Sequence, residues 1–240
     1  MDREFWHARW SNDDIGFHQD EVHPVLVDHW PALGLKAGSR ILVPLAGKSL
    51  DMRWLADQGY RVTGIELSEK AAEAFFKEQN IAYTRKKRGA FDCFTSPNIE
   101  IRVGDIFDMT PAELTRFEGF YDRAALIALP DGLREDYVAH LMPGLRRGAT
   151  GLLITFSYDE ALMEGPPFSV TDEDVGGLYG RYAHVDLMAE RRGPAKSAAL
   201  RDKGLTPIEE SEAAASKSTA DPTAEAASAT KATQDAETTK

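Results

Sequence analysis

Residues 40–68 read RILVPLAGKSLDMRWLADQGYRVTGIELS, and this stretch decides the fold. A short apolar run that ends at Pro44 predicts a buried strand, and Ser49 predicts the N-cap of a helix that ends at Gly59. A second apolar run, residues 61–66, predicts the next strand. Two neighbouring strands joined through a helix run parallel, so the stretch predicts one βαβ unit.

The alternation of strand and helix continues along the chain. Repetition of this order predicts a doubly wound, mostly parallel α/β sheet, and such sheets bind their ligands outside the carboxyl ends of the strands. Further strands are predicted at 99–103, 120–128, 150–157 and 183–189, and further helices after Ser68, at 131–147 and at 171–179.

The composition changes abruptly after Ile208. Residues 209–240 contain no Val, Ile, Leu, Met or aromatic residue, and such a segment cannot bury enough apolar surface to offset the entropy lost on ordering. We therefore predict one domain over residues 1–208 and a disordered, low-complexity tail over residues 209–240. Deletion of that tail is expected to leave the fold and the ligand site intact.

The first thirty residues do not follow the alternation of strand and helix. They hold three of the four tryptophans, Trp6, Trp10 and Trp30, together with Phe17. Trp6 and Trp10 stand four residues apart and share one face if the segment is helical. Two interpretations remain open: a helix packed against the sheet, or an aromatic lid over the carboxyl ends of the strands.

Composition and charge exclude several classes of protein. A net charge of −11 opposes a nucleic-acid partner, and the basic run at 85–88 is typical of a solvated surface. The sequence has no run of about 18 apolar residues, so it predicts no membrane-spanning helix. Cys93 is the only cysteine, and no Cys/His cluster has metal-binding spacing. Because the first residues are acidic and no apolar segment follows them, we expect a protein that is not exported. We expect a cytoplasmic monomer without a metal.

The turn between the first strand and its helix holds a single glycine, Gly47. Phosphate-binding loops also end in Gly-Lys-Ser, the sequence at 47–49. That motif needs a further glycine at position 42, where this chain has Leu42. The G-x-G-x-x-G fingerprint of dinucleotide sites is absent as well. Few backbone amides can approach a phosphate here, so the turn predicts a ligand without phosphate groups.

Acidic residues follow the ends of two neighbouring strands. Glu66 ends the second predicted strand nineteen residues after Gly47, close to the spacing at which nucleotide-binding βαβ units place the acid that binds a ribose. Asp105 and Ile106 follow the third strand, where an adenine would lie. Either acid alone is typical of a surface residue or a helix cap, but the ordered set predicts a nucleoside ligand without phosphates. S-adenosylmethionine is such a ligand.

Short motifs are spread over residues 1–180. They are Phe5-Trp-His-Ala-Arg-Trp10, Phe17-His-Gln19, Val43-Pro-Leu-Ala-Gly-Lys-Ser-Leu-Asp-Met52, Gly64-Ile-Glu-Leu-Ser68, Tyr121-Asp-Arg-Ala-Ala-Leu-Ile-Ala-Leu129 and Gly165-Pro-Pro-Phe168. Together they resemble the thiopurine S-methyltransferases, particularly the bacterial members, which are also linked to methylation of selenium and tellurium compounds. The resemblance implies a class I S-adenosylmethionine-dependent methyltransferase with a seven-stranded sheet. It also implies a small, aromatic thiol or selenol as acceptor.

The resemblance further implies which residues form the site. Phe17 and Phe168 are implied to wall the acceptor pocket, and Arg123 is implied to lie near the acceptor as the catalytic residue. The residues implied to contact the cofactor are Trp10, Leu45, Glu66, Ile106 and Arg123.

The chain departs from the family pattern in two places. Ala46 stands where members usually carry Cys, a change between small residues that should matter little. After Ala189 the pattern leads us to expect a further arginine and a final apolar strand, and Arg201 lies close to, but not at, the position of that arginine. We therefore expect the last strand to be shortened or missing. This keeps open a second interpretation, a nucleoside-binding protein without catalytic activity.

Methyl transfer from a sulfonium needs a nucleophile held in line with the methyl carbon, and positioning does most of the work. Arg123, at the end of the fourth predicted strand, would favour a thiolate over its thiol and so lower the pKa of the acceptor. Its alternative role is a structural ion pair with Asp122 or another acid. Cys93 has no activating neighbour in the sequence and is predicted to be passive.

Two other enzyme classes share parts of the pattern. Tyr83 and Lys87 form a Tyr-x-x-x-Lys pair like that of short-chain dehydrogenases, but they lie too early in the chain and the glycine fingerprint is missing. Methyltransferases that act on nucleic-acid amino groups carry an acid or amide before Pro-Pro-aromatic, where this chain has Gly165. Neither class fits the whole pattern.

Overall fold

The structure, a computed structural model, describes residues 3–193 and 208–217. Within these ranges nine strands and eight α-helices form one α/β arrangement. The strands are β1 (Arg40–Val43), β2 (Arg61–Glu66), β3 (Thr84–Arg88), β4 (Phe91–Thr95), β5 (Ile99–Val103), β6 (Gly119–Asp122), β7 (Thr150–Ser157), β8 (Ala183–Gly193) and β9 (Ile208–Lys217). The helices are α1 (Arg3–Ser11), α2 (Pro24–His29), α3 (Leu50–Asp57), α4 (Glu69–Glu78), α5 (Pro111–Leu114), α6 (Ala125–Ala128), α7 (Asp131–Gly144) and α8 (Asp172–Tyr179).

The described strands all belong to one sheet, in the order β3-β4-β5-β2-β1-β6-β7-β9-β8. From β5 to β7 the neighbouring strands are parallel, and the pairs outside this region are antiparallel. The predicted doubly wound, mostly parallel sheet is thus confirmed. The expected number of seven strands is too low, because the hairpin of β3 and β4 adds two strands at one edge.

Serine caps begin the two helices that follow β1 and β2. The Ser49 hydroxyl accepts the backbone N–H of Asp51, and the Ser68 hydroxyl accepts that of Ala71. Both helices bury one face against the sheet, as the βαβ pattern predicts. The buried residues on that face include Met52, Leu55, Ala56, Ala72, Phe75 and Phe76.

Helices cover both faces of the sheet. On one face α7 and α8 contribute the buried side chains of Tyr137, Leu141 and Tyr179 to a core cluster. On the other face α3 and α4 contribute a second cluster, which includes Met52 and Phe75. Among the residues that the structure describes, no helix is both long and apolar enough to cross a membrane.

The hairpin of β3 and β4 has no counterpart among the predicted strands. Its turn uses Gly89 with a positive φ of 58°, while β3 is basic and exposed along its whole length. The interpretation of the basic run 85–88 as a solvated surface is therefore confirmed. Hydrophobic periodicity gives no signal for an edge strand that buries none of its own side chains.

Strand β9 shows that two predictions were wrong. Residues 209–217 are not disordered, and the last strand is neither shortened nor missing. The strand lies between β7 and β8 and pairs with both along its length. Ser211, Ala213 and Ala215 are buried at alternate positions, so backbone pairing on both sides orders a strand that has little apolar side chain of its own. The domain therefore includes residues 208–217. Residues 218–240 of the predicted tail, and Arg201, lie outside the described residues.

Two predicted elements end earlier than expected. The predicted strand 120–128 ends at Asp122, because the Asp122 carboxylate accepts the backbone N–H of Ala125 at 2.9 Å and closes a turn before α6. The predicted helix 131–147 ends at Gly144, and Leu145 has extended backbone. The earlier end of β6 matters for function, because it places Arg123 in a loop at the carboxyl edge of the sheet.

Candidate active site

The loops that follow β1, β2, β5 and β6 meet at one edge of the sheet, because parallel strands carry their carboxyl ends together. In the turn after β1, Leu45 has a φ of 47° and Gly47 a φ of 53°. A left-handed conformation at a residue with a side chain costs on the order of 1–2 kcal/mol. The Ala46 N–H donates to the Ile65 carbonyl at 2.9 Å, which ties this strained turn to β2. Strain of this kind is typical of functional loops.

Glu66 connects the turn after β1 to the turn after β2. Its Oε2 accepts the N–H of Gly47 and its Oε1 accepts the N–H of Ser68, both at 2.8 Å. Burial raises the pKa of Glu66, and the hydrogen bonds from Ser68, Gly47 and Leu67 oppose that rise. A carboxylate has about four acceptor positions, so Glu66 is oriented by the backbone and can still accept hydrogen bonds from ligand hydroxyls.

Asp105 and Ile106 lie directly after β5. Asp105 Oδ1 accepts the N–H of Phe107 at 3.0 Å, and Oδ2 forms an ion pair with Arg3 Nη2 at 2.7 Å. Ile106 is buried, and its carbonyl lies 3.1 Å from His140 Nε2. The structure thus brings Asp105 and Ile106 to the same edge as Glu66, with Asp105 fixed by contacts on both oxygens.

Helix α1 lies across this edge. Trp10 is buried. Its ring packs closely on Gly47, since a Cβ atom added to this glycine would lie 3.3 Å from the ring. The Arg3–Asp105 ion pair and the contact of Lys70 Nζ with Asp13 at 2.6 Å fasten the helix and the loop after it to two neighbouring elements. Of the two interpretations left open by the sequence, this placement supports the lid over the carboxyl ends of the strands.

Arg123 forms an ion pair with an acid that the sequence pattern did not indicate. Its Nε lies 3.1 Å from Asp51 Oδ2, and its Nη2 donates to the Ser49 hydroxyl at 3.2 Å. Asp51 is fully buried and also accepts the Tyr121 hydroxyl at 3.0 Å and the His23 N–H at 2.8 Å. The Arg123 side chain remains 18% exposed, so the guanidinium is anchored on one side and accessible on the other.

Asp122 faces away from Arg123 and is not its partner. Its Oδ1 accepts the Ala125 N–H and its Oδ2 accepts the Tyr137 hydroxyl at 2.8 Å. Burial is the largest influence and raises the pKa of Asp122 to about 6, although the hydrogen bonds from Tyr137 and from the backbone oppose it. Asp122 therefore shapes the loop that carries Arg123.

Asp122→Asn is expected to flatten the dependence of stability on pH between about 4 and 6. The folded-state pKa of about 6 lies above the ordinary value of 3.8, so the folded protein binds more protons in this window and its free energy of unfolding falls as pH rises. The asparagine side chain does not titrate, so the variant protein should be more stable than the native protein at pH 8, by about 1–3 kcal/mol. Denaturant unfolding between pH 4 and 8 measures both effects. The exposed Asp108→Asn is the control, and an unchanged slope in Asp122→Asn would contradict the assignment.

The implied acceptor residues lie in two different segments. Phe17 packs edge to face against Trp10 and Trp6, with ring centroids 5.6 and 5.7 Å apart. Phe168 belongs to the segment between β7 and α8, and its N–H donates to the Ile127 carbonyl at 2.6 Å, in the segment that follows Arg123. The aromatic ring of Phe168 and the cation of Arg123 are thus carried by adjoining segments.

Several alternative site residues are engaged elsewhere. Lys48 Nζ is bound to Glu78 at 2.7 Å rather than directed to a phosphate position. Tyr83 packs against Phe94, and Lys87 lies in the exposed strand β3 at the edge of the sheet. Cys93 is buried and its thiol pKa is raised, chiefly by burial, which agrees with a passive residue. In the described ranges no group of three or more His, Cys, Asp or Glu residues is placed to hold a metal ion.

The sheet order, with an antiparallel last strand inserted beside β8, and the carboxylate that joins the turns after β1 and β2 define a class I S-adenosylmethionine-dependent methyltransferase. Solved structures of this class have the same fold. A 1,6-didemethyltoxoflavin-N1-methyltransferase from Burkholderia thailandensis superposes with a TM-score of 0.62 at 17% identity, covering 90% of this chain and 87% of that chain. A methyltransferase from Methanosarcina mazei gives a TM-score of 0.59 at 15% identity, covering 83% of this chain and all of the other.

Sequence relatives identify the family. A family model described as thiopurine S-methyltransferase matches residues 1–218. A thiopurine S-methyltransferase of Azotobacter vinelandii is 47% identical over 210 residues, 88% of this chain and 96% of that protein, and one of Pseudomonas entomophila is 53% identical over 175 residues, 73% of this chain and 81% of that protein. The chain belongs to the thiopurine S-methyltransferase family, as the motifs predicted, and the match extends through β9.

Proposed function

We propose that this enzyme transfers the methyl group of S-adenosylmethionine to the sulfur of small thiols, preferably aromatic ones such as thiopurines, and also to selenium or tellurium nucleophiles. The observation that carries this proposal is the position of Arg123. It is a partly exposed cation one strand away from the turn that Glu66 organises, and a fixed cation beside a methyl donor is suited to an anionic nucleophile.

The residues at the edge of the sheet fit a nucleoside cofactor. Glu66 is held with acceptor positions left for ribose hydroxyls, while Trp10 covers the turn that contains Leu45 and Gly47. Ile106 and the neighbouring Asp105 would contact the adenine. Bound here, S-adenosylmethionine would supply the electrophilic methyl carbon. The turn holds a single glycine, so few backbone amides can approach a phosphate, which favours a ligand without phosphate.

The protein side of the reaction is charge stabilisation and orientation. The acceptor loses its thiol proton to solvent, its sulfur forms the new bond to the methyl carbon, and the bond to the sulfonium breaks. Arg123, anchored by Asp51 and Ser49, would stabilise the thiolate. Phe17 and Phe168 would hold the ring of the acceptor on either side. The net charge of −11 supports a small molecule rather than a nucleic acid as acceptor.

The interpretation without catalysis rested on a degenerate C-terminus. β9 pairs with β7 and β8, which removes the missing last strand as a reason for that interpretation. The test of function is incubation with methyl-labelled S-adenosylmethionine and a panel of a thiopurine, thiophenol, selenite and tellurite. Label in the thiopurine and thiophenol products supports the proposal, and label in none of the products rejects it.

Glu66→Ala is expected to weaken binding of S-adenosylmethionine by about 1.5–3 kcal/mol, the range for hydrogen bonds to a charged acceptor. The variant also releases the N–H groups of Gly47 and Ser68 from their shared partner. Calorimetric titration gives the dissociation constant. Glu69→Ala, which removes a surface partner of Arg85, should bind as the native protein does. An unchanged constant in Glu66→Ala would remove Glu66 from the cofactor site.

A further inference from the structure

Arg134 is a buried cation on α7 that contacts two loops of the active-site edge. Only 4% of the residue is exposed. Its Nε donates to the carbonyls of Leu126 at 3.0 Å and Leu129 at 2.8 Å, both in or next to α6. Its Nη2 donates to the carbonyl of Ser169 at 3.1 Å, directly after Phe168. One side chain thus joins the segment after Arg123 to the segment that carries Phe168.

The buried charge of Arg134 is compensated by backbone carbonyls more than by an ion pair. The carboxylate partner of Arg134 is Asp131, at 2.9 Å, whose side chain is 92% exposed and therefore offsets little of the burial. Removing a cation from water is costly, and well-packed apolar residues often stabilise such a position as well or better. What an apolar residue cannot supply is a planar set of donors that reaches carbonyls on two separate loops.

The ring of Phe168 is confined by its neighbours. The Arg134 guanidinium carbon lies 5.6 Å from the ring centroid, and a Cβ atom at Gly165 would lie only 2.4 Å from the ring. The backbone of the same segment is held by the hydrogen bond from Phe168 to Ile127 and by the Tyr158 hydroxyl, which donates to the Pro167 carbonyl at 2.6 Å. Among these neighbours of Phe168, Arg134 also donates hydrogen bonds to the carbonyls of Leu126 and Leu129.

We propose that Arg134 is a positioning residue that determines preference for aromatic acceptors, by holding the ring of Phe168 at a fixed place relative to Arg123. The proposal rests on the function proposed above, in which Phe168 is a wall of the acceptor pocket. A ring stacked on an acceptor contributes only when its distance and tilt are right. A small aliphatic thiol makes no such contact and does not depend on the orientation of the ring.

The test compares two thiols in Arg134→Lys, which keeps the charge but not the fork of donors. We expect KM for thiophenol to rise about tenfold, while kcat/KM for 2-mercaptoethanol and the affinity for S-adenosylmethionine stay within about twofold of the native values. The measured quantity is kcat/KM for thiophenol divided by kcat/KM for 2-mercaptoethanol. A purely structural residue would not move this ratio, because loss of folded enzyme lowers both rates equally.

Two further variants make the result specific. Leu141→Ala lies on the same helix, is fully buried and should lower the melting temperature without changing the ratio. Phe168→Leu should lower the ratio as Arg134→Lys does, and the double variant should be no lower than Phe168→Leu alone, since residues that act through one another are not additive. If Arg134→Lys folds poorly, the comparison of Phe168→Leu in the native and Arg134→Met backgrounds gives the same readout.

Different failures have different meanings. Equal losses toward both thiols in Arg134→Lys, or additive effects in the double variant, would overturn the role of Arg134 and leave the proposed function standing. A native enzyme that methylates neither thiol would overturn the proposed function and the role of Arg134 with it.

Discussion

A chain that ends at residue 207, and so lacks all of β9, is expected not to form the native sheet, whereas a chain that ends at Lys217 is expected to melt within a few degrees of the full-length protein. β9 provides backbone partners to β7 on one side and β8 on the other. Each buried group left without a partner costs about 1–3 kcal/mol, so a handful of them exceeds the roughly 5–15 kcal/mol by which domains are stable. Residues 218–240 have no apolar residue larger than alanine or proline to contribute to a core.

Circular dichroism melts and dye binding to exposed apolar surface compare the two truncated chains. The boundary after Lys217 is set by its contacts: its N–H donates to the Ala149 carbonyl at 2.8 Å, and its Nζ donates to the Pro143 carbonyl at 2.9 Å. A cooperative melt of the chain ending at residue 207, near the native temperature, would show that β9 is dispensable.

Point variants within β9 test the same strand without truncation. Ala215 is fully buried and Ala214 is half-buried on the opposite face. Ala215→Glu should lower the melting temperature by about 10 °C, because it buries a carboxylate next to a closed core. Ala214→Glu should have a small effect. Equal shifts for the two neighbours would contradict the alternation of the strand.

The sequence pattern of β9 explains why it escapes prediction. Strand signals come from β-branched and aromatic residues, whereas residues 209–217 are Glu, Ser, Ala and Lys, which are poor strand formers. A strand paired on both sides is ordered by its neighbours, and this stabilisation is invisible in a local window. The alternation of Ser211, Ala213 and Ala215 is the signal that remains, but small residues in an Ala-rich tract make it weak.

The central βαβ unit is predictable because its signals are local. The strands, the caps at Ser49 and Ser68, and the spacing of Gly47 and Glu66 all lie within thirty or so residues, and periodicity and capping act over such distances. The structure confirms these elements and places the Glu66 carboxylate 2.8 Å from the Gly47 nitrogen.

The contacts that organise Arg123 and Phe168 are not local. Asp51 lies 72 residues before Arg123, and its sequence context indicates only an acid in the first turn of a helix. Arg134 occurs on a helix whose pattern assigns charged residues to solvent. Both residues are buried because of loops that come from elsewhere in the chain. Only the folded arrangement shows that a polar side chain has buried partners.

Arg123→Lys is expected to reduce methyl transfer to a thiol about a hundredfold at pH 7 and by progressively less at higher pH. Lysine keeps a positive charge, but it cannot contact Asp51 Oδ2 and the Ser49 hydroxyl in the forked geometry seen here. Its charge is then held less firmly beside the acceptor. The thiol must ionise at a pKa closer to its value in solution, so a rise in pH restores part of the thiolate.

The experiment measures kcat/KM from pH 6 to 9 for both proteins, with one thiol acceptor and saturating cofactor. Asp122 has a pKa of about 6, so the recovery of the rate is read above pH 7, where this neighbour of Arg123 is already ionised. The pKa of His18 is lowered by burial and by the charges of Lys48 and Arg123, so it is neutral above pH 7, and the pKa of Tyr121 is raised well above 10. Arg146→Lys, which alters a surface ion pair with Glu118, is the control and should follow the native profile.

The ion pair with Asp51 makes the comparison of pH profiles necessary, because a guanidinium bound to a buried acid could have a purely structural role. An architectural arginine predicts a lower melting temperature and a rate lowered by the same factor at every pH. An arginine that stabilises the nucleophile predicts a melting temperature close to native and a profile whose rise is displaced toward alkaline pH. The second role needs an accessible guanidinium, and the Arg123 side chain keeps 18% of its surface exposed beside its contact with Asp51. Parallel profiles for Arg123→Lys and the native enzyme would assign Arg123 to the framework and leave ionisation of the thiol to another group.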